Sequence, residues 1–189
     1  MKIVWRLAGW ALLAGFAVFA LTRRPAAPVP GGTSAPSVAS NAGFRPGDTA
    51  PDFALRSLDG QTVHLSELRG HVVLLNFWAT WCTPCRVEMP WLVEFDRQYR
   101  AQDLHIVGVN LDDPGTGRDR IAAFARERGV VYPVLLGNNR VADAYGGVRF
   151  MPQTFFIGPD GKIMSSNYGI TTREEFEKNI KDALAASAR

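Results

Sequence analysis

The stretch "VVLLNFWATWCTPCRVEMPWL", residues 72–92, decides the fold and carries the chain's most reactive side chains. It opens with a continuous apolar run, which is typical of a strand buried on both faces of a sheet. A helical pattern follows from about Thr83 to Arg100. Cys82 and Cys85, the only cysteines in the chain, lie at the start of that pattern. The sequence therefore predicts a strand followed by a helix, with two thiols at the N-terminus of that helix.

The position of the cysteines favours a reactive thiol. A thiol reacts as its thiolate, and a free cysteine with a pKa of about 8.5 is mostly protonated at neutral pH. The unpaired N–H groups and the positive dipole end of a helix stabilise a thiolate placed there. Cys82 occupies that place, and Cys85 lies one turn inside. Thr83 and Pro84 suit the first turn, where the missing N–H of a proline costs nothing. This arrangement predicts thiol–disulfide exchange: Cys82 attacks a substrate disulfide, and Cys85, expected to be more buried, resolves the mixed disulfide.

Three other uses of a cysteine pair fit the sequence less well. A structural zinc site needs four ligands, but no second pair occurs, and the three histidines show no pattern, so we predict no metal and assign them no role. A purely structural disulfide gains little from closing a two-residue loop. Attachment of a c-type haem needs a histidine directly after the second cysteine, where this chain has Arg86. The glycines form no phosphate-binding string, so no nucleotide or other cofactor is predicted.

The N-terminal region is interpreted as an export segment followed by a linker. Residues 1–24 combine a basic start with an apolar run that is shorter than the roughly 20 residues of a comfortable membrane span. This segment is either a cleaved signal peptide or an N-terminal membrane anchor, and the absence of an Ala-x-Ala triplet favours the anchor. Residues 25–43 are poor in charge and rich in Pro, Ala, Gly and Ser, which predicts a flexible linker. Both interpretations place the remaining domain, residues 44–189, in the periplasm or another extracytoplasmic space, tethered to the inner membrane if the anchor is kept.

The charge distribution argues against nucleic-acid binding. The chain of 189 residues has a net charge of +3, with 21 basic and 18 acidic residues. Four of the basic residues precede residue 44, where no acidic residue occurs, so the 17 others are matched by 18 acidic ones. A nucleic-acid-binding protein would carry its positive charge on the folded domain.

The rest of the domain alternates strand and helix patterns. Residues 53–65 predict a hairpin that turns at Asp59-Gly60, and residues 153–167 predict a second hairpin that turns at Pro159-Asp160-Gly161. The remaining predicted elements are a buried strand (104–111), an amphipathic helix (119–129), a short strand (132–136), a short helix (140–146) and a final helix capped by Thr171 or Thr172 (172–186). This order predicts an α/β sheet covered on both faces.

Together with "GVRFMPQTFFIGPDGKI", residues 147–163, the central stretch resembles the membrane-tethered or exported bacterial thioredoxins of the TlpA, ResA and CcmG type. The resemblance spans residues 46–187 and rests on the WCxxC motif, a proline five residues after the second cysteine and a proline before a "TFFI" strand. It implies a thioredoxin fold, a central mixed sheet with helices on both faces, with an N-terminal β-hairpin and an inserted strand–helix segment at about residues 104–129. It also implies that Pro152, preceded by Met151, is the family's cis-proline.

The resemblance further implies roles for residues near the cysteines. Glu88, one turn after Cys85, is expected to move protons or to raise the thiol pKa, because a carboxylate near a thiolate disfavours the thiolate. Asn76 stands where cytosolic thioredoxins have a buried Asp, so another group must accept the proton. Trp78 is expected in the core, whereas Trp81 should shield the sulfurs. The expected catalytic set is Cys82, Cys85, Glu88 and Pro152, and the expected substrate-contact set is Trp81, Thr83, Pro84 and Met151.

These features predict a thiol:disulfide oxidoreductase that reduces disulfides of exported proteins. Two candidate substrates follow from the resemblance, because members of this family act on them. They are the oxidised haem-binding cysteine pair of apocytochrome c, in cytochrome c biogenesis, and the copper-site cysteines of oxidase assembly factors. An oxidising compartment also implies a membrane thiol-reductase partner that renews the dithiol. Two alternatives stay open. A peroxidase of the peroxiredoxin-related branch should have a PxxxTxxC setting, but Thr80 lies only two residues before Cys82. A copper(I) metallochaperone would use the two thiolates, without support from any Met-rich or His-rich tract.

Overall fold

The computed structural model describes residues 43–187, and residues 1–42, which hold the predicted export segment and nearly all of the predicted linker, lie outside them. Seven strands form one mixed sheet: β1 (Ala54–Ser57), β2 (Thr62–His64), β3 (Val72–Trp78), β4 (Leu104–Asn110), β5 (Val134–Leu136), β6 (Gln153–Ile157) and β7 (Ile163–Tyr168). Within residues 43–187, four α-helices accompany it: α1 (Thr83–Tyr99), α2 (Arg118–Glu127), α3 (Asn139–Ala144) and α4 (Arg173–Ser187). Short 3-10 helices cover Leu65–Leu68, Arg100–Gln102 and Pro114–Thr116.

The strand order places β3 inside the sheet, between β4 and β6. The order is β2-β1-β5-β4-β3-β6-β7, with β3 parallel to β4 and antiparallel to β6. All seven residues of β3 are buried, which explains why its sequence is an apolar run rather than an alternation. Because α1 starts five residues after β3 ends, the cysteine pair lies at the carboxyl end of β3.

Two apolar layers hold the helices to the sheet. On one face, alternate residues of the central strands pack against α1, α2 and α4, and this layer includes both cysteines and Trp78. On the other face, the intervening residues pack against the N-terminal hairpin and against Val141 and Tyr145 at α3. The expectation of a mixed sheet covered on both faces is therefore confirmed, and so is the expectation that Trp78 belongs to the core.

The predicted elements are confirmed with small shifts of their boundaries. The hairpin β1–β2 joins the sheet through β5, which is antiparallel to β1, while residues 104–129 supply the central strand β4 and the helix α2. Helix α1 continues through Pro90. Helix α4 begins after Thr172, whose hydroxyl accepts the Glu175 N–H, so the cap is Thr172 rather than Thr171. Within residues 43–187, no helix combines the length and the apolarity that a membrane crossing requires.

Candidate active site

The cysteine pair closes the turn between β3 and α1. Cys82 and Cys85 form a disulfide with their Cα atoms 5.3 Å apart. Cys82 is the N-cap residue of α1, and its Sγ accepts the backbone N–H of Cys85 at 3.2 Å. A sulfur at this position meets an otherwise unpaired helix N–H and the positive end of the helix dipole. The site therefore stabilises negative charge on Cys82 when the disulfide is opened.

The two cysteines are almost equally buried in the disulfide, 3% and 2% exposed. The expectation that Cys85 is more buried is thus met by only a small margin. What separates the two residues is their place on the helix, since Cys82 caps it and Cys85 lies in its first turn. The neighbouring Trp81 is 61% exposed, so the solvent-facing side of the motif is an indole ring.

Two charged side chains fix the shape of the turn. The Arg86 guanidinium donates from Nε and Nη2 to the carbonyl oxygen of Thr80, at 3.0 and 2.7 Å. On the other side, the Thr80 N–H donates to Asp112 Oδ1 at 3.0 Å, and Asn110 donates to the second oxygen of the same carboxylate. These bonds tie the cysteine turn to α1 and to the end of β4. The sequence motif alone did not identify Arg86 or Asp112, because their role depends on backbone atoms that carry no sequence signal.

A buried carboxyl group lies one helical turn behind the disulfide. Glu88 is 2% exposed, and the side-chain amide of Asn76 donates to its Oε2 at 3.5 Å. The same amide donates to Thr154 Oγ1 at 2.9 Å, directly across the β3–β6 pair. Burial raises the pKa of Glu88 to about 8, against a smaller lowering by the Asn76 hydrogen bond.

This pKa bears on the expected electrostatics of the site. From the sequence, Glu88 was expected to move protons or, as a carboxylate, to raise the thiol pKa. With a pKa of about 8, the group is mostly protonated at pH 7, so its charge opposes a thiolate only in more alkaline solution. At neutral pH, Glu88 is a neutral acid next to the redox pair.

Two polar groups near Glu88 are buried without partners. Within the described part of the chain, the Trp78 indole N–H and the Tyr132 hydroxyl make no hydrogen bond. Burial raises the pKa of Tyr132 well above its usual range, and the nearby Glu88 adds to the rise. Both rings pack over Gly108 of β4, where an added Cβ would lie 2.9 Å from Trp78 Nε1 and 3.2 Å from the Tyr132 ring. Because Gly108 has no side chain, the rings of Trp78 and Tyr132 can pack closely against β4.

The loop before β6 passes next to the cysteines. Its Met151–Pro152 peptide bond is cis, as the family resemblance implies. Met151 is half-buried and packs against the apolar layer that contains both cysteines. Large apolar side chains around this loop face solvent: Phe150 is 68% exposed and Ile170 is 65% exposed.

An open cleft of about 870 Å³ borders the same loop. Its walls include Phe44 and Arg45 from the first described residues, Tyr145, and Phe150 and Gln153 on the two sides of the cis-proline. Of the expected substrate-contact residues, Trp81 and Thr83 are exposed, whereas Pro84 and Met151 are half-buried. The structure thus leaves exposed apolar side chains at Trp81, next to Cys82 in the chain, and around the cis-proline loop.

Comparison with known proteins agrees with this geometry. Residues 46–166 match the AhpC/TSA family. The chain is 37% identical over 136 residues to the thiol-disulfide oxidoreductase ResA of Geobacillus thermodenitrificans, covering 71% of this chain and 76% of the relative. It is 39% identical over 127 residues to ResA of Bacillus subtilis, covering 67% of this chain and 69% of the relative.

A solved structure extends the agreement to the fold. A thiol:disulfide interchange protein of the thioredoxin family from Chlorobium tepidum matches 76% of this chain and 99% of its own length, with a TM-score of 0.66 and 27% identity. The fold is therefore that of known disulfide-exchange proteins, and the spacing of Cys82 and Cys85 fits the same chemistry. The chain belongs to the AhpC/TSA family and, within it, to the ResA-like thiol-disulfide oxidoreductases of the thioredoxin fold.

Proposed function

We propose that this oxidoreductase works as a reductase of disulfides in exported proteins. The observation that carries the proposal is the pairing of Cys82, held at the N-terminus of α1, with a buried acid whose pKa is raised to about 8. The first feature stabilises the attacking thiolate, and the second keeps a proton donor and acceptor available near neutral pH.

The reaction is a two-electron exchange. The Cys82 thiolate attacks one sulfur of the substrate disulfide, forms a mixed disulfide and releases the other substrate sulfur as a thiolate. Cys85 loses its proton and attacks Cys82 Sγ, which restores the Cys82–Cys85 disulfide and releases the second substrate sulfur. The substrate gains two electrons and two protons, and the pair in this chain is oxidised to the state that the structure shows.

Glu88 serves as the proton exchanger in this scheme. It lies one helical turn after Cys85, is buried like both cysteines, and titrates near neutral pH. As a carboxylate it accepts the proton that Cys85 must lose, and as a neutral acid it returns a proton when the pair is reduced again. Asn76 cannot titrate, but its amide orients the carboxyl group.

We infer that exposed apolar residues near the redox motif form the substrate surface. Trp81 contributes an exposed ring next to Cys82 in the chain, and the cis-proline loop contributes the exposed ring of Phe150 and the half-buried Met151. Thr83 and Pro84 complete the edge of the motif. An extended substrate strand pairs with the backbone of this loop and places its disulfide over Cys82.

The proposed cellular setting follows from the N-terminal sequence. Residues 1–24 hold the domain at the outer surface of the inner membrane, and residues 25–43 give it reach toward its substrates. In that oxidising space a membrane thiol reductase renews the dithiol. The proposed substrates are the haem-binding cysteines of apocytochrome c and the copper-site cysteines of oxidase assembly factors.

A trapping experiment tests the proposal. Cys85→Ala cannot resolve its mixed disulfide and should accumulate covalent, reductant-sensitive adducts with its substrates in the native host. Cys82→Ala is the matched control and should capture none. The purified chain should also reduce insulin and show a midpoint potential of about −200 mV or lower, whereas a value near about −120 mV, typical of strong oxidants, contradicts a reductase. Rapid peroxide turnover without insulin reduction would instead establish the peroxidase alternative.

A further inference from the structure

We propose that His71, Asp103 and His105 form a binding site for a divalent transition-metal ion at the end of the sheet opposite the disulfide. The three residues are separated by up to 34 positions in the chain, so their spacing does not resemble a metal motif. The fold brings them together, and their ligand atoms all lie within 4.8 Å of one another.

The register of β3 and β4 explains why these three residues lie close together. Strands β3 and β4 are parallel, with Val72 opposite Leu104 and Val73 opposite His105. His71 and Asp103 each immediately precede their strand, so both lie at the same edge of the sheet. His105 is the second residue of β4, close enough for its ring to meet both side chains. The cysteine pair follows the other end of β3, so the two sites lie at opposite ends of one strand.

The distances fit a metal ion after small side-chain movements. Asp103 Oδ1 lies 2.6 Å from His71 Nδ1 and 3.8 Å from His105 Nε2, and the two imidazole centroids are 4.3 Å apart. In tetrahedral zinc, bonds of about 2.0–2.2 Å place neighbouring ligand atoms roughly 3.3 Å apart. The two ligand-atom separations from Asp103 are each within about 0.7 Å of that value. The ligand atoms of the two histidines lie within 4.8 Å of each other, so the imidazoles must move closer together to hold an ion.

The backbone under the ligands is held in place. The N–H of Asp103 donates to the Arg100 carbonyl, and the carbonyl of Asp103 accepts the N–H of Val72. The His71 N–H donates to Leu68. The ligands are thus attached to the sheet edge rather than to a free loop. Their side chains are 40–53% exposed, which allows an ion to enter and water to complete its coordination.

The donor set indicates the kind of ion. Two imidazole nitrogens and one carboxylate suit Zn²⁺, Ni²⁺ and Cu²⁺, whereas Mg²⁺ and Ca²⁺ prefer oxygen ligands throughout. Arg100 is a cation that lines the same small cavity as His105. Its guanidinium is bonded to the buried Asp96 carboxylate at 2.6 Å, so its charge is offset. The site retains the carboxylate of Asp103 to attract a cation.

Calorimetric titration of the untagged full chain with ZnCl₂ tests the inference. The chain is kept in its oxidised form, because the closed disulfide then removes both thiolates as competing ligands. One ion should bind per chain. His71→Ala and His105→Ala should each weaken binding roughly tenfold or more, and Asp103→Asn, which keeps the side-chain shape, should also weaken it.

The third histidine of the chain supplies the matched control. His64→Ala leaves the three ligands intact and should bind zinc with the affinity of the parent chain. Far-UV circular dichroism checks that every variant keeps its fold. No heat of binding at millimolar zinc, or equal affinity in the parent chain and in a His71→Ala, His105→Ala double variant, overturns the inference. Equal weakening by His64→Ala also overturns it.

Discussion

Replacing Glu88 with glutamine should remove a large part of the pH dependence of stability between about pH 5 and pH 8. Burial raises the pKa of Glu88 from 4.5 to about 8 in the folded chain, whereas the unfolded chain exposes the group to water. Between these values the folded state holds a proton that the unfolded state has lost. Stability from this group is therefore complete below about pH 4.5 and decreases as the pH rises toward 8.

The size of the effect follows from the difference between the two pKa values. Each pH unit within this window costs about 1.4 kcal/mol of unfolding free energy. The cumulative loss is about 3 kcal/mol at pH 7 and about 5 kcal/mol above pH 8. Glutamine has the same shape and no titrating proton, so the variant should lack this slope while it keeps the contact with Asn76.

Urea unfolding of the oxidised chain at several pH values measures the slope directly. The free energy of unfolding of Glu88→Gln, relative to the parent chain, should grow with pH by about 1.4 kcal/mol per unit. Glu94→Gln is the matched control, because Glu94 is an exposed residue of the same helix that pairs with Arg173. It should leave the slope unchanged. Parallel curves for the parent chain and Glu88→Gln would refute the assignment of a raised pKa to this residue.

Three further predictions concern the site and its support. Cys82→Ser should abolish insulin reduction while the far-UV spectrum is retained, because the serine hydroxyl is not ionised at neutral pH. Arg86→Ala, which removes two hydrogen bonds to the cysteine turn, should destabilise the oxidised chain by about 1–2 kcal/mol in urea unfolding and slow insulin reduction. Gly108→Ala should cost about 1–3 kcal/mol in the same measurement because its methyl group meets the buried ring of Trp78, whereas Gly115→Ala, with open space at its Cβ, should cost much less.

The elements of the fold could be predicted because their signals are local. The apolar run of β3 indicates a strand with both faces buried, and the 3.6-residue periodicity after it indicates α1. Turn residues such as Asp59-Gly60 mark the hairpins. Cys82 and Cys85 were recognisable as a redox pair because their spacing and their place at a helix N-terminus are both written in consecutive residues.

Other features depend on packing between distant segments and could not be predicted. The protonation of Glu88 depends on how fully β3, β6 and α1 enclose it, which the sequence does not show. Arg86 and Asp112 hold the cysteine turn through hydrogen bonds to backbone atoms of Thr80, and backbone atoms carry no sequence signal. The cluster of His71, Asp103 and His105 depends on the register of two parallel strands, and a shift by one residue would separate these side chains.

In the proposed exchange reaction, α1 contributes two different physical effects, one at Cys82 and one at Glu88. The helix terminus acts on Cys82 through fixed N–H groups and a dipole, so its stabilisation of the thiolate does not depend on pH. Glu88 acts through a proton, and because its pKa is about 8 it imposes little negative charge on the pair at pH 7. If the carboxyl were exposed, its charge would oppose the helix dipole throughout the neutral range. Burial of Glu88 beside Asn76 of β3 therefore allows one helix to stabilise the attacking thiolate and also to hold the acid that we propose exchanges protons with the resolving thiol.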